Sequence, residues 1–195
     1  MLTLTGASTY SGSTTVSAGH LRVNNSSGSA LGTGPVIVAS GATLSGSGSF
    51  TGALQLAGTL SPGNSPGLLT IGSGSVLEGT TLIEIGGTAR GISYDAINVS
   101  GAGQLTLGGI LDVVLYGGWT PSGSATFQLF QATSIGGSFA QVNLPTVGGY
   151  VWNTSRLETD GVLDLSAIPE PGAYATLAGL ATLASVMLRR RPRVA

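Results

Sequence analysis

LTLTGASTYSGSTTVSAGHLRV, residues 2–23, consists of three short segments of alternating character separated by glycine. The segments are Leu2-Thr3-Leu4, Thr14-Thr15-Val16 and Leu21-Arg22-Val23. Successive side chains of a strand point to opposite faces, so each segment predicts a short strand with one apolar side. Glycine permits tight corners between such strands, because it has no Cβ to restrict the backbone. The stretch therefore predicts one coil of a stacked β-structure.

The same pattern recurs at close intervals further along the chain. The recurring segments are Val36-Ile37-Val38, Ala42-Thr43-Leu44, Ala53-Leu54-Gln55-Leu56 and Thr59-Leu60. Spacing this short is typical of a solenoid, in which each coil stacks on the preceding one. We therefore predict a β-solenoid for residues 1–85, with a β-sandwich joined by hairpins as the alternative. Ser61-Pro62-Gly63-Asn64 and Ser65-Pro66-Gly67 predict two consecutive turns.

Residues 86–167 carry longer apolar runs and most of the aromatic side chains. The aromatic residues that cluster in this half are Trp119, Phe127, Phe130, Phe139, Tyr150 and Trp152. We expect them to bury a final core within an antiparallel β cap, because the open end of a solenoid must be covered. Exposure of Trp119 and Trp152 for stacking on a glycan is the alternative. Asp160-Gly161 lies between two alternating runs and predicts a hairpin.

Residues 168–195 form a separate tail. Ile168-Pro169-Glu170-Pro171-Gly172 is followed by the uncharged Ala173–Leu188 and then by Arg189, Arg190, Arg191 and Arg193. Alanine and leucine dominate the uncharged run and favour a helix, which rises about 24 Å against the roughly 30 Å hydrocarbon core of a bilayer. The flanking arginines can reach the interface and so compensate for a short span. The tail predicts one C-terminal transmembrane helix over residues 173–188 with a basic membrane stop; a buried amphipathic helix is the alternative.

The tail resembles the PEP-CTERM sorting signal of Gram-negative bacteria, with its three parts in the expected order over residues 168–195. The resemblance implies that an exosortase, a membrane-embedded cysteine protease, recognises Pro169, Glu170 and Pro171 and removes the helix. The remaining protein would then pass to the cell surface or to the extracellular polysaccharide matrix. The four arginines would act as the stop-transfer element.

Residues 2–23 resemble the autotransporter-associated β-strand repeat, which extends more loosely over the body (residues 1–166). The matching residues are Leu2-Thr3-Leu4-Thr5-Gly6, Thr9-Tyr10-Ser11-Gly12, Thr14-Thr15-Val16, Ala18-Gly19 and Leu21-Arg22-Val23. This resemblance implies a right-handed parallel β-helix in an exported bacterial protein. The first six residues contain no basic region and no long apolar stretch, so we expect a fragment of a longer exported protein.

Composition narrows the classes of partner and cofactor. Charged residues make up 8% of the chain, and hydrophobic residues make up 42%, too apolar for a solvated coil. Residues 1–168 contain seven acids and three arginines, a net charge of about −4, so nucleic acid is not expected as a partner. The chain has no cysteine and one histidine, His20, so we predict no metal site and no cofactor.

The sequence offers little support for catalysis. No Gly-x-Ser-x-Gly elbow accompanies His20, which is interpreted as a surface turn residue. Glu84 and Asp112 could lie on adjacent coils and supply the two carboxylates of a polysaccharide lyase or hydrolase, but outward strand positions are the preferred interpretation. Asp95 is expected to bond a turn. The protein is therefore not expected to be an enzyme.

The combined interpretation is an all-β, surface- or matrix-associated structural or adhesive solenoid. It would be anchored in the cell envelope by helix 173–188 until processing. Its expected partners are an exosortase-type protease, the membrane and an exopolysaccharide. An exopolysaccharide-binding module is the first alternative, and a β-helical polysaccharide lyase is the second.

Overall fold

The computed structural model of the chain describes residues 1–101 and 103–169. Its first ten strands are β1 (Leu2–Leu4), β2 (Thr14–Val16), β3 (Gly19–Val23), β4 (Val36–Val38), β5 (Ala42–Gly46), β6 (Leu54–Leu56), β7 (Thr59–Pro62), β8 (Leu68–Ile71), β9 (Ser75–Leu77) and β10 (Thr80–Ile85). The remaining elements are β11 (Ala96–Val99), β12 (Gln104–Leu107), β13 (Ile110–Leu115), β14 (Ala125–Gln128), β15 (Phe130–Gln131), β16 (Ser134–Gly137), β17 (Gln141–Asn143), β18 (Tyr150–Asn153), the helical turn α1 (Leu157–Asp160) and β19 (Val162–Ala167).

Three parallel sheets run along the body of the molecule. Sheet A has the order β1-β3-β5-β7-β10-β13-β17, sheet B the order β16-β12-β9-β6-β4-β2, and sheet C the order β15-β11-β8. The chain alternates between sheets A and B in the first coils and also contributes to sheet C from β8 onwards, so each strand pairs with its counterpart one coil away. This mostly parallel, all-β arrangement fits the β-solenoid predicted from the sequence.

Stacked aliphatic side chains fill the interior of the solenoid. On sheet A, Leu21 pairs with Leu44 and Leu44 pairs with Leu60, and all three side chains are buried. This stack follows from the alternation in each strand, since a fixed register keeps every second residue inside. Burying a leucine side chain contributes roughly 1.5–3 kcal/mol relative to exposing it. The repeated apolar positions therefore account for the cohesion of the coils.

The coils become longer towards the C-terminus. Thr80 pairs with Thr59 on one side and with Ile110 on the other, so the later coil contains a longer connection. Parallel pairing continues from β10 to β13 and from β13 to β17. The parallel ladders therefore run well past the domain boundary predicted at residue 85.

The C-terminal region contains the antiparallel sheet D, in the order β14-β19-β18. The hairpin predicted at Asp160-Gly161 is wrong, because the residues before Gly161 form α1. Gly161 has a φ of 71° and its N–H donates to the carbonyl of Leu157, closing the helical turn. A left-handed glycine serves both as the end of a helix and in a tight hairpin, and here it ends the helix.

Candidate functional site

The tail lies almost wholly outside the described residues. Pro169 is in the exposed stretch after β19. Glu170, Pro171, the predicted helix 173–188 and the arginines Arg189, Arg190, Arg191 and Arg193 are all outside the described part of the chain. Within residues 1–101 and 103–169, no helix has the length and apolar character needed to cross a bilayer. The sorting motif and its membrane stop stay predictions.

Two of the predicted aromatic residues, Trp119 and Trp152, pack around the buried Phe127 together with Tyr94, while Phe130 and Phe139 pack against each other. The Phe127 ring makes edge-to-face contacts with Tyr94 at 5.1 Å and Trp119 at 6.0 Å, and a tilted contact with Trp152 at 5.9 Å between centroids. The indole Nε1 of Trp152 donates to the carbonyl of Pro145 at 2.8 Å. Both tryptophans are half-buried and packed against the core. Their geometry suits a core cluster beneath sheet D better than a free stacking platform for sugars.

Glu84 and Asp112 lie on neighbouring strands of sheet A at outward positions. Asp112 pairs with Leu82 and Glu84 pairs with Val114, so the two carboxylates are offset along the strands. The Asp112 carboxylate accepts a hydrogen bond from the Asn143 amide. No group of three or more acidic or histidine side chains that could hold a metal occurs within residues 1–101 and 103–169.

The interpretation of His20 as a turn residue is wrong. His20 lies within β3 and is half-buried, and its Nε2 lies 2.6 Å from the Ser45 hydroxyl on the next coil. Loss of solvation lowers the pKa of His20, and the positive charges of Arg22 and the N-terminus lower it further. The outward face of a solenoid strand thus gives His20 a partner one coil away that the local sequence does not reveal.

Asp95 is the most deeply buried ionisable group of the described residues, with no exposed surface. One carboxylate oxygen accepts from the Gly67 N–H at 2.7 Å and the other from the Glu84 N–H at 2.9 Å. Burial raises the pKa of Asp95 to about 7; the two backbone hydrogen bonds oppose this rise, and the Glu84 charge adds to it. Asp95 therefore bonds the predicted turn at Gly67, and also fastens that turn to β10.

A second carboxylate holds sheet D to the helical turn. Asp164 accepts from the Arg156 guanidinium at 2.8 Å and from the Thr126 hydroxyl at 2.7 Å. Burial alone would raise the pKa of Asp164, but these hydrogen bonds and the Arg156 charge together lower it. The pair is a structural contact between neighbouring elements.

A polar groove lies on the outer face of sheet C. Thr70, Asn98 and Gln131 occupy one register position on three successive strands, because Thr70 pairs with Asn98 and Asn98 pairs with Gln131. Ser100 and Thr133 also line the groove, whose volume is about 360 Å³. We refer to these five residues as the polar groove. The sequence pattern gives no sign of the polar groove, since its members are far apart in the chain and only the strand register brings them together.

The similarity to a known protein family lies in the first coil. Residues 1–23 match the model of the passenger-associated-transport-repeat family. This confirms the predicted autotransporter-associated repeat over that stretch and suggests an exported repeat protein. Neither the curated proteins nor the solved structures contain a match to the chain.

Proposed function

We propose that this protein is an exported structural solenoid that serves as a scaffold or spacer at the cell surface or in the extracellular matrix. One observation carries the proposal: its first 23 residues match a passenger-associated repeat and form the beginning of a continuous parallel seven-stranded sheet. A stack of coils of this kind gives a rigid, extended body whose length grows with the number of repeats.

The use of charged groups supports a non-catalytic role. Asp95 bonds two backbone amides, Asp164 pairs with Arg156, and Glu158 accepts from the Phe139 N–H at 3.1 Å. Each of these carboxylates is employed in holding one element to another. The lyase alternative would require Glu84 and Asp112 to act together on a polysaccharide, so E84Q/D112N is its direct test: loss of any polysaccharide-cleaving activity would overturn the non-catalytic proposal.

The sorting step is part of the same proposal. In it, the tail inserts in the membrane through residues 173–188, the arginines stop transfer, and an exosortase-type protease acts at Pro169-Glu170-Pro171. The exposed position of Pro169 after the last strand supports this, because a protease needs an accessible, extended segment. The predicted association with exopolysaccharide follows from delivery to the matrix.

The test uses the full chain, expressed behind an export signal in a Gram-negative host with an exosortase. We expect surface display and a mature C-terminal peptide, identified by mass spectrometry, that ends near Pro171. Deletion of residues 169–195 should abolish both, and P169A/P171A should abolish processing. Q104A, at an exposed position on β12 that leaves the tail intact, is the matched control. Unchanged surface display of the deletion variant would contradict the sorting step.

A further inference from the structure

The polar groove is lined by side chains whose hydrogen-bonding capacity is unused within the described residues. Within the described residues, the side chains of Thr70, Asn98, Ser100, Gln131 and Thr133 make no hydrogen bond to another protein group. By contrast, Ser49 occupies the preceding position of the same row, paired with Thr70, and its hydroxyl donates to the Gly28 carbonyl at 2.7 Å. Along this register position, the side chain before the groove is hydrogen-bonded to the protein, and the side chains within the groove are not.

One amide in the groove lacks a partner that its burial demands. The Oδ1 atom of Asn98 is buried and has no hydrogen-bond partner among the described residues. Such an atom costs roughly 1–3 kcal/mol unless it is satisfied. Asn98 also lines the groove, so its amide is a group at the centre of the groove whose bonding capacity the described residues leave unused.

The chemistry of the lining defines the ligand class. Its polar groups are hydroxyls and carboxamides, which both donate and accept, and the residues that line the groove include no ionisable side chain. A charged ligand would find no opposite charge in the groove. The hydroxyl groups of a neutral ligand match the lining, because they carry no charge and both donate and accept hydrogen bonds. Val99 and Ala132 add apolar surface between the polar groups, as expected of a site for a ligand that has both polar and apolar faces.

The spacing of the lining defines the shape of the ligand. Neighbouring strands of a sheet lie about 4.8 Å apart, so Thr70, Asn98 and Gln131 repeat at that interval along the solenoid axis. This interval is comparable to the length of one sugar unit in an extended glycan. We propose that the polar groove binds a neutral oligosaccharide lying along the solenoid axis, with successive sugar units facing successive coils.

A scaffold needs no ligand groove, so glycan binding goes beyond the proposed function. The glycan contacts in the polar groove also involve residues other than Trp119 and Trp152.

The experiment is isothermal titration of the full chain with cellohexaose, laminarihexaose and mannohexaose, and with a hexamer of galacturonate as the charged comparison. We expect at least one neutral hexaose to bind and the galacturonate hexamer not to bind.

The groove variants are Q131A and T70V, each of which removes one polar group without removing a buried apolar contact. Loss of one hydrogen bond should weaken binding by about 3- to 10-fold for each variant. The matched controls are Q104A and T106V on β12, which are exposed positions of the neighbouring sheet and should retain full affinity. Thermal unfolding of all four variants establishes that each is folded.

The inference would be overturned by the absence of binding of all three neutral hexaoses, by preference for the charged hexamer, or by equal affinities of the groove and control variants. Weakening by W119A or W152A with no effect of Q131A would place glycan contact at the aromatic cluster and would equally overturn it. None of these results bears on the sorting experiment, which follows localisation and processing.

Discussion

At the scale of single residues, Asp95 shows how a solenoid uses a buried carboxylate. Asp95 lies where the turn ending at Gly67 meets β10. One of its carboxylate oxygens accepts a hydrogen bond from a backbone N–H of the turn, and the other accepts one from a backbone N–H of β10. Those amides would otherwise be buried donors without partners, so the carboxylate replaces ladder bonds that the irregular turn cannot make. The cost is a buried ionisable group with a raised pKa, which couples folding to pH.

The first prediction concerns this coupling. The pKa of Asp95 is about 7 in the folded protein against an ordinary value of 3.8, so the folded state binds the proton more tightly than the unfolded state. Its stabilising contribution is fully present below the unfolded value and is lost as pH rises through about 7. We expect the free energy of unfolding to increase by up to about 3 kcal/mol as the pH is lowered from about 8 to about 5.

Urea unfolding followed by circular dichroism measures this change. D95N removes the titrating group, so its stability should lack that component, whereas D160N at an exposed position should keep it. A wild-type stability that does not change, or that falls as the pH is lowered over this range, would contradict the prediction.

At the scale of elements, the strands of the early coils could be predicted from the sequence and their partners could not. Leu2-Thr3-Leu4 and Leu21-Arg22-Val23 alternate clearly, and both are strands. Which strand each one contacts depends on connection lengths, so the alignment of Thr70, Asn98 and Gln131 is invisible locally. The burial of the aromatic residues was predictable because large apolar side chains must be covered somewhere, but the packing of Trp119 and Trp152 on Phe127 was not.

The second prediction concerns the end of α1. Gly161 has a φ of 71°, and a Cβ added there would lie 2.1 Å from the Phe130 carbonyl oxygen, so backbone must move. We expect G161A to lower the free energy of unfolding by at least about 1 kcal/mol. G123A is the matched control, since no atom lies within 4 Å of its added Cβ. Urea unfolding compares the two variants, and equal stabilities would contradict the role assigned to Gly161.

At the scale of the whole molecule, the two ends of the solenoid are finished differently. At the C-terminal end, α1 packs on β16, Glu158 bonds the Phe139 N–H, and the Phe139 and Phe130 rings pack at 5.9 Å. At the N-terminal end, β1 and β2 are the outermost strands of their sheets, and Leu2 is 61% exposed and Tyr10 44% exposed. Both coils have edge strands, since β17 and β16 are the opposite edges of the sheets that contain β1 and β2. The exposed apolar groups of the first coil and the packing of α1 on the other coil make the first coil the less stable of the two within residues 1–169.

The third prediction follows from this difference and is tested by amide hydrogen exchange. The Asn24 N–H donates to Leu4 of the first coil, and the Ala140 N–H donates to Gly109 near the last coil, both at 2.8 Å. Because the two hydrogen bonds have the same length, the exchange rates of these amides report how easily each coil separates from its neighbouring coil. We expect Asn24 to exchange at least about tenfold faster, which corresponds to roughly 1.4 kcal/mol in local opening.

F139A provides the matched perturbation, because it removes the ring that holds the last coil to Phe130 and leaves the first coil untouched. It should accelerate exchange at Ala140 and leave Asn24 unchanged, so that the two ends become more alike. Faster exchange at Ala140 than at Asn24 in the wild type would show that the antiparallel sheet and α1 do not stabilise their end. The stability of the solenoid would then depend on the stacked leucines of its middle coils alone, because those coils are the ones with a neighbour on both sides.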